Sequence, residues 1–333
     1  MTTDSLLLQV DGLRVAAGRD GETTLVDGVS LSVAPGECLG LVGESGSGKS
    51  LTLRSVLSLL PPSIRQTAGA IRLADDAGVL AERHPKDLRG NGVSMIFQEP
   101  MSSLNPTMRI GDLVAAGARA HGQSRAEARR TALRLLEEVG IPDPQQRLRA
   151  WPHELSGGLR QRVMIAMALS VEPRLLLCDE PTTALDATIQ DQILTLLERL
   201  RRERGLAVVF VSHDLGVISR IADRTAVMYA GTIVEEGPTA ALISAPRHPY
   251  TRALVASMPS ADRKSGRLAT IPGSPPTAGQ WPSGCRFAPR CAYAIDECRI
   301  AQPALVPVAP ERTSACLRDH ELQEMHMTEP LAS

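Results

Sequence analysis

The sequence is short of lysine: of 36 basic residues among 333, only Lys49, Lys86 and Lys264 are lysines. Arginine serves wherever a generic cation suffices, so a lysine that persists calls for a specific role. Aromatic residues make up 2% of the chain, and none precedes Phe97. Neither charge is in excess. A formal net charge of -1 supplies none of the strong basic field expected of a dedicated nucleic-acid binder. No apolar run approaches the roughly 18 residues of a membrane span. The opening MTTDSLLLQVDG carries an acid and lacks a basic leader, so no secretory signal is expected. No repeat of fixed period is visible. These absences point to a soluble protein of the cytoplasm. What is present is ordinary globular balance, 43% hydrophobic and 22% charged, which excludes a disordered chain. At roughly 150 residues per domain, the length suggests about two domains.

Short apolar runs alternate with helical patterns as far as about residue 240. Leu39–Val42, Leu175–Cys178 and Ala207–Val211 are continuous apolar runs between polar residues, the pattern of strands buried on both faces of a parallel sheet. Arg125–Val139 carries Leu133, Leu136 and Val139 at helical spacing, and Ile189–Arg204 reads as a second charged-faced helix. Gly231 suggests a turn between two late strands. Near residue 245 the composition shifts: residues 271–276 read IPGSPP, prolines recur at 282, 289, 303, 307 and 310, and four cysteines follow. Such a segment is irregular or extended. The expected division is residues 1–244 and a small accessory domain, residues 245–333.

Residues 43–50 read GESGSGKS, a G-x-x-x-x-G-K-[ST] loop between the strand-like LGLV and the helix-like LTLRSVLSLL. In that setting glycines let backbone N–H groups turn around phosphate oxygens, and the helix points its positive end at the same anion. Lys49 is then the cation for the β- and γ-phosphates of ATP, and Ser50 a ligand of Mg²⁺. The expected nucleotide-binding residues here are Gly43, Glu44, Ser45, Gly46, Ser47, Gly48, Lys49, Ser50 and Leu51. Residues 175–181 read LLLCDEP: a buried strand ends in two carboxylates, Asp179 for the Mg²⁺ shell and Glu180 to polarise the attacking water. Without the loop upstream, two acids at a strand end would equally serve as a cap.

Residues 155–162 read LSGGLRQR and open a helix that runs on through VMIAMAL. Ser156, Gly157 and Gly158 place N–H groups at a positive helix end, a second phosphate-binding surface. The bland alternative is a glycine-containing cap with no ligand. One nucleotide does not need two γ-phosphate sites in one chain, so the simplest resolution is a surface that faces the nucleotide of a partner subunit.

The order of phosphate loop, Gln98, LSGG, CDEP and His213 resembles the ATP-binding cassette of ABC transporters, over residues 5 to about 240. The resemblance implies an α/β fold: a P-loop nucleotide-binding domain with a RecA-like core, an antiparallel β subdomain and an α-helical subdomain at about residues 100–172. It also implies two cassettes packed head to tail, each ATP lying between one phosphate loop and the other LSGG. By the same resemblance, Gln98 senses Mg²⁺ and the membrane partner, Asp186 crosses the dimer interface, and His213 contacts the γ-phosphate. The catalytic set is then Glu180, His213 and Gln98, with Ser50, Gln98 and Asp179 around Mg²⁺.

FQEPMSSLNP, ELSGGLRQRVMIAMAL, DEPTTALD, and a tail of HPYTRAL, IPGSPP and PSGCRFAPRC resemble more closely the ATPase subunits of oligopeptide/dipeptide importers, a subfamily that includes nickel importers. This implies a peripheral subunit on the cytoplasmic face of the inner membrane. Its partners are a second, unlike ATPase in a heterodimer, two transmembrane permease subunits and an extracytoplasmic solute-binding protein. Nucleic acid is not an expected partner. A nickel or other small-solute importer is the nearest alternative. A soluble cassette acting on DNA or ribosomes is the remote one, disfavoured by charge and by the short interval between phosphate loop and LSGG. One departure stands out. Where the family stacks adenine on an aromatic, the matching LRVAAG offers only Ala16 and Ala17.

Cys38 and Cys178 sit in strand-like apolar surroundings and read as core. Cys285, Cys291, Cys298 and Cys316 form a separate group without the paired C-x₂-C of a zinc ribbon. Disulfides are disfavoured in a cytosolic chain. By residue chemistry these four thiols could hold an iron–sulfur cluster, hold Zn²⁺, or stay unligated. The resemblance implies a 4Fe–4S cluster on them.

Overall fold

The computed structural model describes residues 6–18, 21–75, 77–82, 85–99, 103–183, 185–258 and 270–328. Lys264, Ala184 and the Pro100–Met101–Ser102 stretch of the quoted motifs lie outside them. Strands in chain order are β1 Leu8–Ala17, β2 Thr23–Val33, β3 Cys38–Val42, β4 Ile64–Ala74, β5 Leu80–Glu82, β6 Val93–Ile96, β7 Leu175–Asp179, β8 Ala207–Ser212, β9 Arg224–Tyr229, β10 Thr232–Pro238, β11 Val306–Ala309 and β12 Arg312–Ser314. The longer helices are α1 Lys49–Val56, α2 Ile110–Ala120, α3 Arg125–Glu138, α4 Gly157–Leu169, α5 Ala187–Arg204, α6 Leu215–Ile221, α7 Thr239–Ser244, α8 Pro249–Ser257 and α9 Asp319–Thr328. The fold is the α/β class the motifs imply. The chain forms two compact units: one built mainly from Val33–Glu37 and Leu73–Phe210, the other from Leu8–Ser32, Cys38–Arg72 and the chain from Val211 onward.

In the first unit the strand order is β8-β7-β6. β6 and β7 run parallel, with Val93 opposite Leu175 and Ile96 opposite Cys178. Every residue of β7 is buried, which is why its apolar run shows no alternation. α2 packs against α3 and α4. Ile110, Leu113, Val114, Ala128, Ala132, Leu135 and Leu136 fill the seam. α3 starts where Ser124 Oγ accepts the Glu127 N–H and Glu127 accepts the Ser124 N–H, a reciprocal cap. It ends one residue before the expected Val139, which serves as C-cap. α5 begins two residues earlier than its apolar pattern suggests, because Asp186 caps it through the Ile189 N–H.

In the second unit one sheet has the order β3-β9-β10-β12-β11. β3 is parallel to β9, whereas β9–β10, β10–β12 and β11–β12 are antiparallel. The turn expected at Gly231 is a two-residue hairpin, Ala230 and Gly231 both having positive φ (45° and 84°), which matches strand twist. Gly40 of β3 lets α6 settle on the strand: a Cβ there would lie 2.6 Å from Ile218 Cγ2. The tail holds a surprise. Residues 306–314, expected to be irregular, pair with β10 through Ser314 opposite Glu235. Pro307 is tolerated because it lies in the last strand of that order. β2, β1 and β4 lie side by side in a separate sheet. α1 stops at Val56, short of the apolar run. Ser58 adopts φ 49°, the Leu59 N–H turns back to the Arg54 carbonyl, and Pro61 and Pro62 follow. No helix among the described residues is long and apolar enough to cross a membrane.

Candidate nucleotide site

β3 delivers the chain into the phosphate loop, and α1 carries it away. Three glycines make the loop's shape obligatory, each for its own reason. A Cβ on Gly43 would lie 2.0 Å from the Met228 carbonyl oxygen, so only hydrogen fits. Gly48 has φ 105° and would clash with Met228 Cε at 2.7 Å. Gly46 has φ 79° with open space around it, so backbone freedom alone explains it. Lys49 is 4% exposed, and its Nζ donates to the carbonyls of Gly43 (2.7 Å) and Glu44 (3.0 Å). Ser47 Oγ is buried with no hydrogen-bond partner, an unmet cost of the kind an anion would relieve. α1 has Gly48 at its N-cap and no side-chain cap. A helix start of this kind directs its first-turn N–H groups and positive dipole end toward the loop. Ser50 and Leu51 lie in that first turn, and Ser45 lies on the exposed crest. The residues fit a nucleotide phosphate with Mg²⁺.

In the other unit β7 ends at Asp179, which is fully buried. Glu180 follows with φ 48°, unusual for a residue with a side chain. That turn brings Thr183 back: its hydroxyl donates to Glu180 Oε2 at 2.9 Å, and its N–H donates to the Glu180 carbonyl at 3.2 Å. Gln98, just beyond β6, donates Nε2–H to the same Oε2 at 3.4 Å. The fold therefore joins Gln98 to Glu180 directly. Thr183 is a site residue the motif reading did not single out.

LSGG is the N-terminus of α4. Ser156 is the N-cap, and its Oγ accepts the Leu159 N–H at 3.4 Å. Ser156 and Gly157 are exposed. The first-turn N–H groups of Gly157 and Gly158 have no intrahelical acceptor by the geometry of a helix end. Gly158 is confined by its own chain, since a Cβ would meet Ile189 Cγ2 at 2.7 Å, whereas at Gly157 the nearest atom is 3.8 Å away. Asp186 is tied up as the cap of α5. His213, in the second unit, follows β8 on the surface. Asp214 beside it caps α6 through the Gly216 N–H at 2.7 Å.

The largest omission from the motif reading is in the tail. Arg290 reaches across 246 residues of sequence to Glu44, its two terminal nitrogens 2.6 and 3.0 Å from the carboxylate oxygens. The Glu44 N–H donates to Tyr250 Oη at 2.8 Å. Tyr229, Tyr250 and Phe287 form a ring cluster with centroids 4.5 to 5.4 Å apart. The hydrogen bond to Glu44 keeps Arg290 firmly charged, and burial raises the pKa of Tyr250. His248 is buried and neutral, burial pressing its pKa to about 3, and its Nδ1 accepts the Tyr250 N–H. PSGCRFAPRC carried the signal, but nothing in the motif itself names Glu44 as the target.

Cys38 and Cys178 are fully buried core residues. Cys285, Cys291, Cys298 and Cys316 line one cavity with Phe287 and Leu322. Its free space is about 20 Å³, room for about one water. Burial holds the thiols of Cys285 and Cys291 in the protonated form and pushes that of Cys316 up to about 12. Among the described residues no three His, Cys, Asp or Glu are placed to hold a metal ion. Four thiols in an apolar setting are the right donor chemistry for a cluster. The cavity they line, with room for about one water, does not accommodate a cluster unless the side chains turn out of it.

A glycine-shaped phosphate loop with its lysine, and a buried strand ending in Asp–Glu, define a P-loop ATPase. Comparison with known proteins takes this further. The ABC transporter family model matches residues 26–183, and that of the oligopeptide/dipeptide transporter C-terminal region matches residues 234–298. A Brucella melitensis protein named as a peptide import ATP-binding protein is 47% identical over 331 residues, covering 95% of this chain and 98% of the relative. A Sinorhizobium fredii protein named as a peptide ABC transporter ATP-binding protein is 47% identical over 324 residues, covering 95% and 96%. Among solved structures, cbiO1 of Clostridium perfringens, part of the ABC transporter complex cbiONQ, superposes with TM-score 0.62 at 26% identity, covering 72% of this chain and 92% of that one. A dimeric ATP-binding cassette in a post-hydrolysis state with ADP and Pi gives 0.60 at 27%, covering 70% and 99%. The chain belongs to the ATP-binding subunits of ABC transporters, and it is a transport ATPase of that family.

Proposed function

We propose that this chain is the energy-coupling ATPase of an importer for di- and oligopeptides. The observation that carries the substrate class is the match along nearly the whole length of relatives named for peptide import, tail included. On this reading the chain is peripheral, at the cytoplasmic face of the membrane. It pairs with a second, unlike cassette and drives two permease subunits served by an extracytoplasmic solute-binding protein. Nucleic acid has no part. Residues 1–244 form the cassette, with its helical part at about residues 100–172, and residues 245–333 form the accessory domain.

Each residue has a task in this scheme. Lys49 leaves the carbonyls of Gly43 and Glu44 for the β- and γ-phosphates, and the loop N–H groups and the start of α1 hold the rest. Ser50, Asp179 and Gln98 are the residues that would hold Mg²⁺, which supplies charge neutralisation on the phosphate oxygens. Glu180, fixed at one oxygen by Thr183 and Gln98, orients the attacking water and takes up its proton. His213 contacts the γ-phosphate. Ser156, Gly157 and Gly158 serve the nucleotide held by the partner cassette, and Asp186 lies at that interface. ATP closes the pair because it touches both surfaces, and loss of the γ-phosphate opens it.

The 4Fe–4S reading of Cys285, Cys291, Cys298 and Cys316 rests on the donor set and on the resemblance of the tail, and it requires the four side chains to turn out of a cavity with room for about one water. Anaerobically purified protein should then contain iron and absorb in the visible. Iron-free protein from cells competent in cluster assembly would refute it.

The function is tested by a pull-down from native membranes joined to uptake assays. A second cassette and two membrane-spanning chains should co-purify, and Lys49→Ala should abolish uptake of labelled peptides. Loss of nickel uptake with peptide uptake intact would overturn the substrate class, and recovery of ribosomes or DNA in place of permeases would overturn the transport role.

A further inference from the structure

Glu44 is the second residue of the phosphate loop, and it is held at three points. Its N–H is bound by Tyr250 Oη at 2.8 Å, its carbonyl by Lys49 Nζ at 3.0 Å, and its carboxylate by both terminal nitrogens of Arg290. The Arg290 side chain is 5% exposed. It also donates to Tyr229 Oη (3.2 Å) and the Pro272 carbonyl (2.8 Å), so its position is fixed from two further sides. It stands on the short turn Ala288–Arg290, anchored by Phe287, which is 3% exposed within the ring cluster. Tyr250 leaves the same cluster at the start of α8. The tail thus clasps the one acidic residue of a loop whose ligand is an anion.

This matters electrostatically. A carboxylate beside a bound triphosphate is repulsive, and in a partly buried site such repulsion is weakly screened. A bidentate guanidinium cancels it and also holds the loop backbone in place. Resting on the nucleotide-site reading above, we infer that Arg290 and Tyr250 are positioning residues of the ATP site, through which the C-terminal region sets the affinity of the phosphate loop for nucleotide. The sequence motifs of the cassette do not contain this function, since both residues lie beyond residue 244.

The inference has a sign pattern that simple packing does not reproduce. ATP affinity of the full chain is measured by calorimetric titration, with thermal melts recorded in parallel. R290Q leaves the Glu44 charge uncompensated and should weaken ATP binding about tenfold, a gap of about 1.4 kcal/mol. Adding Glu44→Gln to R290Q removes the repulsion and should recover most of that loss. R290K keeps the charge but not the fork and should fall between. Tyr250→Phe should weaken binding by roughly threefold, through the freed Glu44 N–H. In the assembled transporter the R290Q effect should appear in KM more than in kcat. The inference is overturned if R290Q binds ATP within about twofold of the parent protein, or if the double variant is as weak as R290Q. Should R290Q fail to fold, R290K and Tyr250→Phe decide, and parental affinity in both refutes it. A parent protein that binds no ATP, or a Lys49→Ala variant that binds it unimpaired, would instead refute the nucleotide-site reading.

Discussion

The two candidate phosphate-binding surfaces of the chain are of opposite construction. The phosphate loop is finished by its own chain: Gly43 is closed in by the Met228 carbonyl, Lys49 is buried against loop carbonyls, and Glu44 is clasped by Arg290 and Tyr250. The LSGG surface is a helix end with Ser156 and Gly157 exposed above a serine cap. A surface braced on all sides is built to grip its ligand alone. One left bare at the solvent acts only when something else is pressed against it. On the proposed mechanism that something is ATP seated on the other cassette. Glu180 sits between these extremes, strained in backbone yet braced by Thr183 and Gln98. The comparison can be broken at each of these places.

The largest effect is expected at Glu180. Glu180→Gln removes the proton acceptor while preserving shape, and Gln can still accept from Thr183. Turnover should fall by about 10²–10⁴, with ATP binding retained and the closed pair accumulating. Near-parental hydrolysis would show that the water is activated elsewhere. Thr183→Val is the sharper companion. It removes a hydrogen bond that positions the carboxylate, so kcat should fall by about tenfold without any change in ATP affinity.

How much of this was legible in sequence follows from how locally each feature is encoded. The loop, the CDEP strand end and the LSGG helix start are runs of a few contiguous residues whose chemistry is nearly self-declaring. In a chain with three lysines, Lys49 stood out. Arg290 did not, because arginine is the default cation here and its partner lies 246 residues away. Thr183 was within reach: three residues after a glutamate, it needs only a left-handed Glu180 to fold back, but a positive φ on a non-glycine residue leaves no mark in composition. The strands at 306–314 were hidden by their prolines, which suit an outermost strand as well as a loop. The four cysteines were legible as a group, since they do share one cavity. That this cavity has room for only about one water was not.

The second test bears on the open surface. Enlarging Gly158 would confuse matters, since even an added Cβ would lie 2.7 Å from Ile189 Cγ2 of the same chain. Gly157 has room, with nothing nearer than 3.8 Å, so Gly157→Arg blocks the exposed face without disturbing the fold. Hydrolysis by the assembled transporter should drop by about 10², as when one preorganised donor is lost, while the isolated chain still binds ATP as the parent does. Lys49→Ala should do the reverse and abolish binding by the isolated chain. If Gly157→Arg in every copy left hydrolysis intact, LSGG would be a capped helix end and nothing more.

The smallest effect concerns the base. Ala16 is 2% exposed within β1, so the position that matches the family's stacking aromatic offers a nucleotide nothing to stack on. Among the described aromatics of the unit that holds the loop, four are engaged with one another or with an arginine. Tyr229, Tyr250 and Phe287 are buried on one another, and Trp281 lies under the Arg286 guanidinium at 3.7 Å, its ring edge tight against Gly231. Losing a base–aromatic stack costs about 1–3 kcal/mol, and these four rings are already committed elsewhere. Affinity must then come from the triphosphate, which ATP and GTP share. In competition for the full chain, GTP should come within about an order of magnitude of ATP, a gap of about 1.4 kcal/mol. A preference for ATP of about a hundredfold or more would mean that the base is read by a surface outside this chain, and the partner cassette would then be the first place to look.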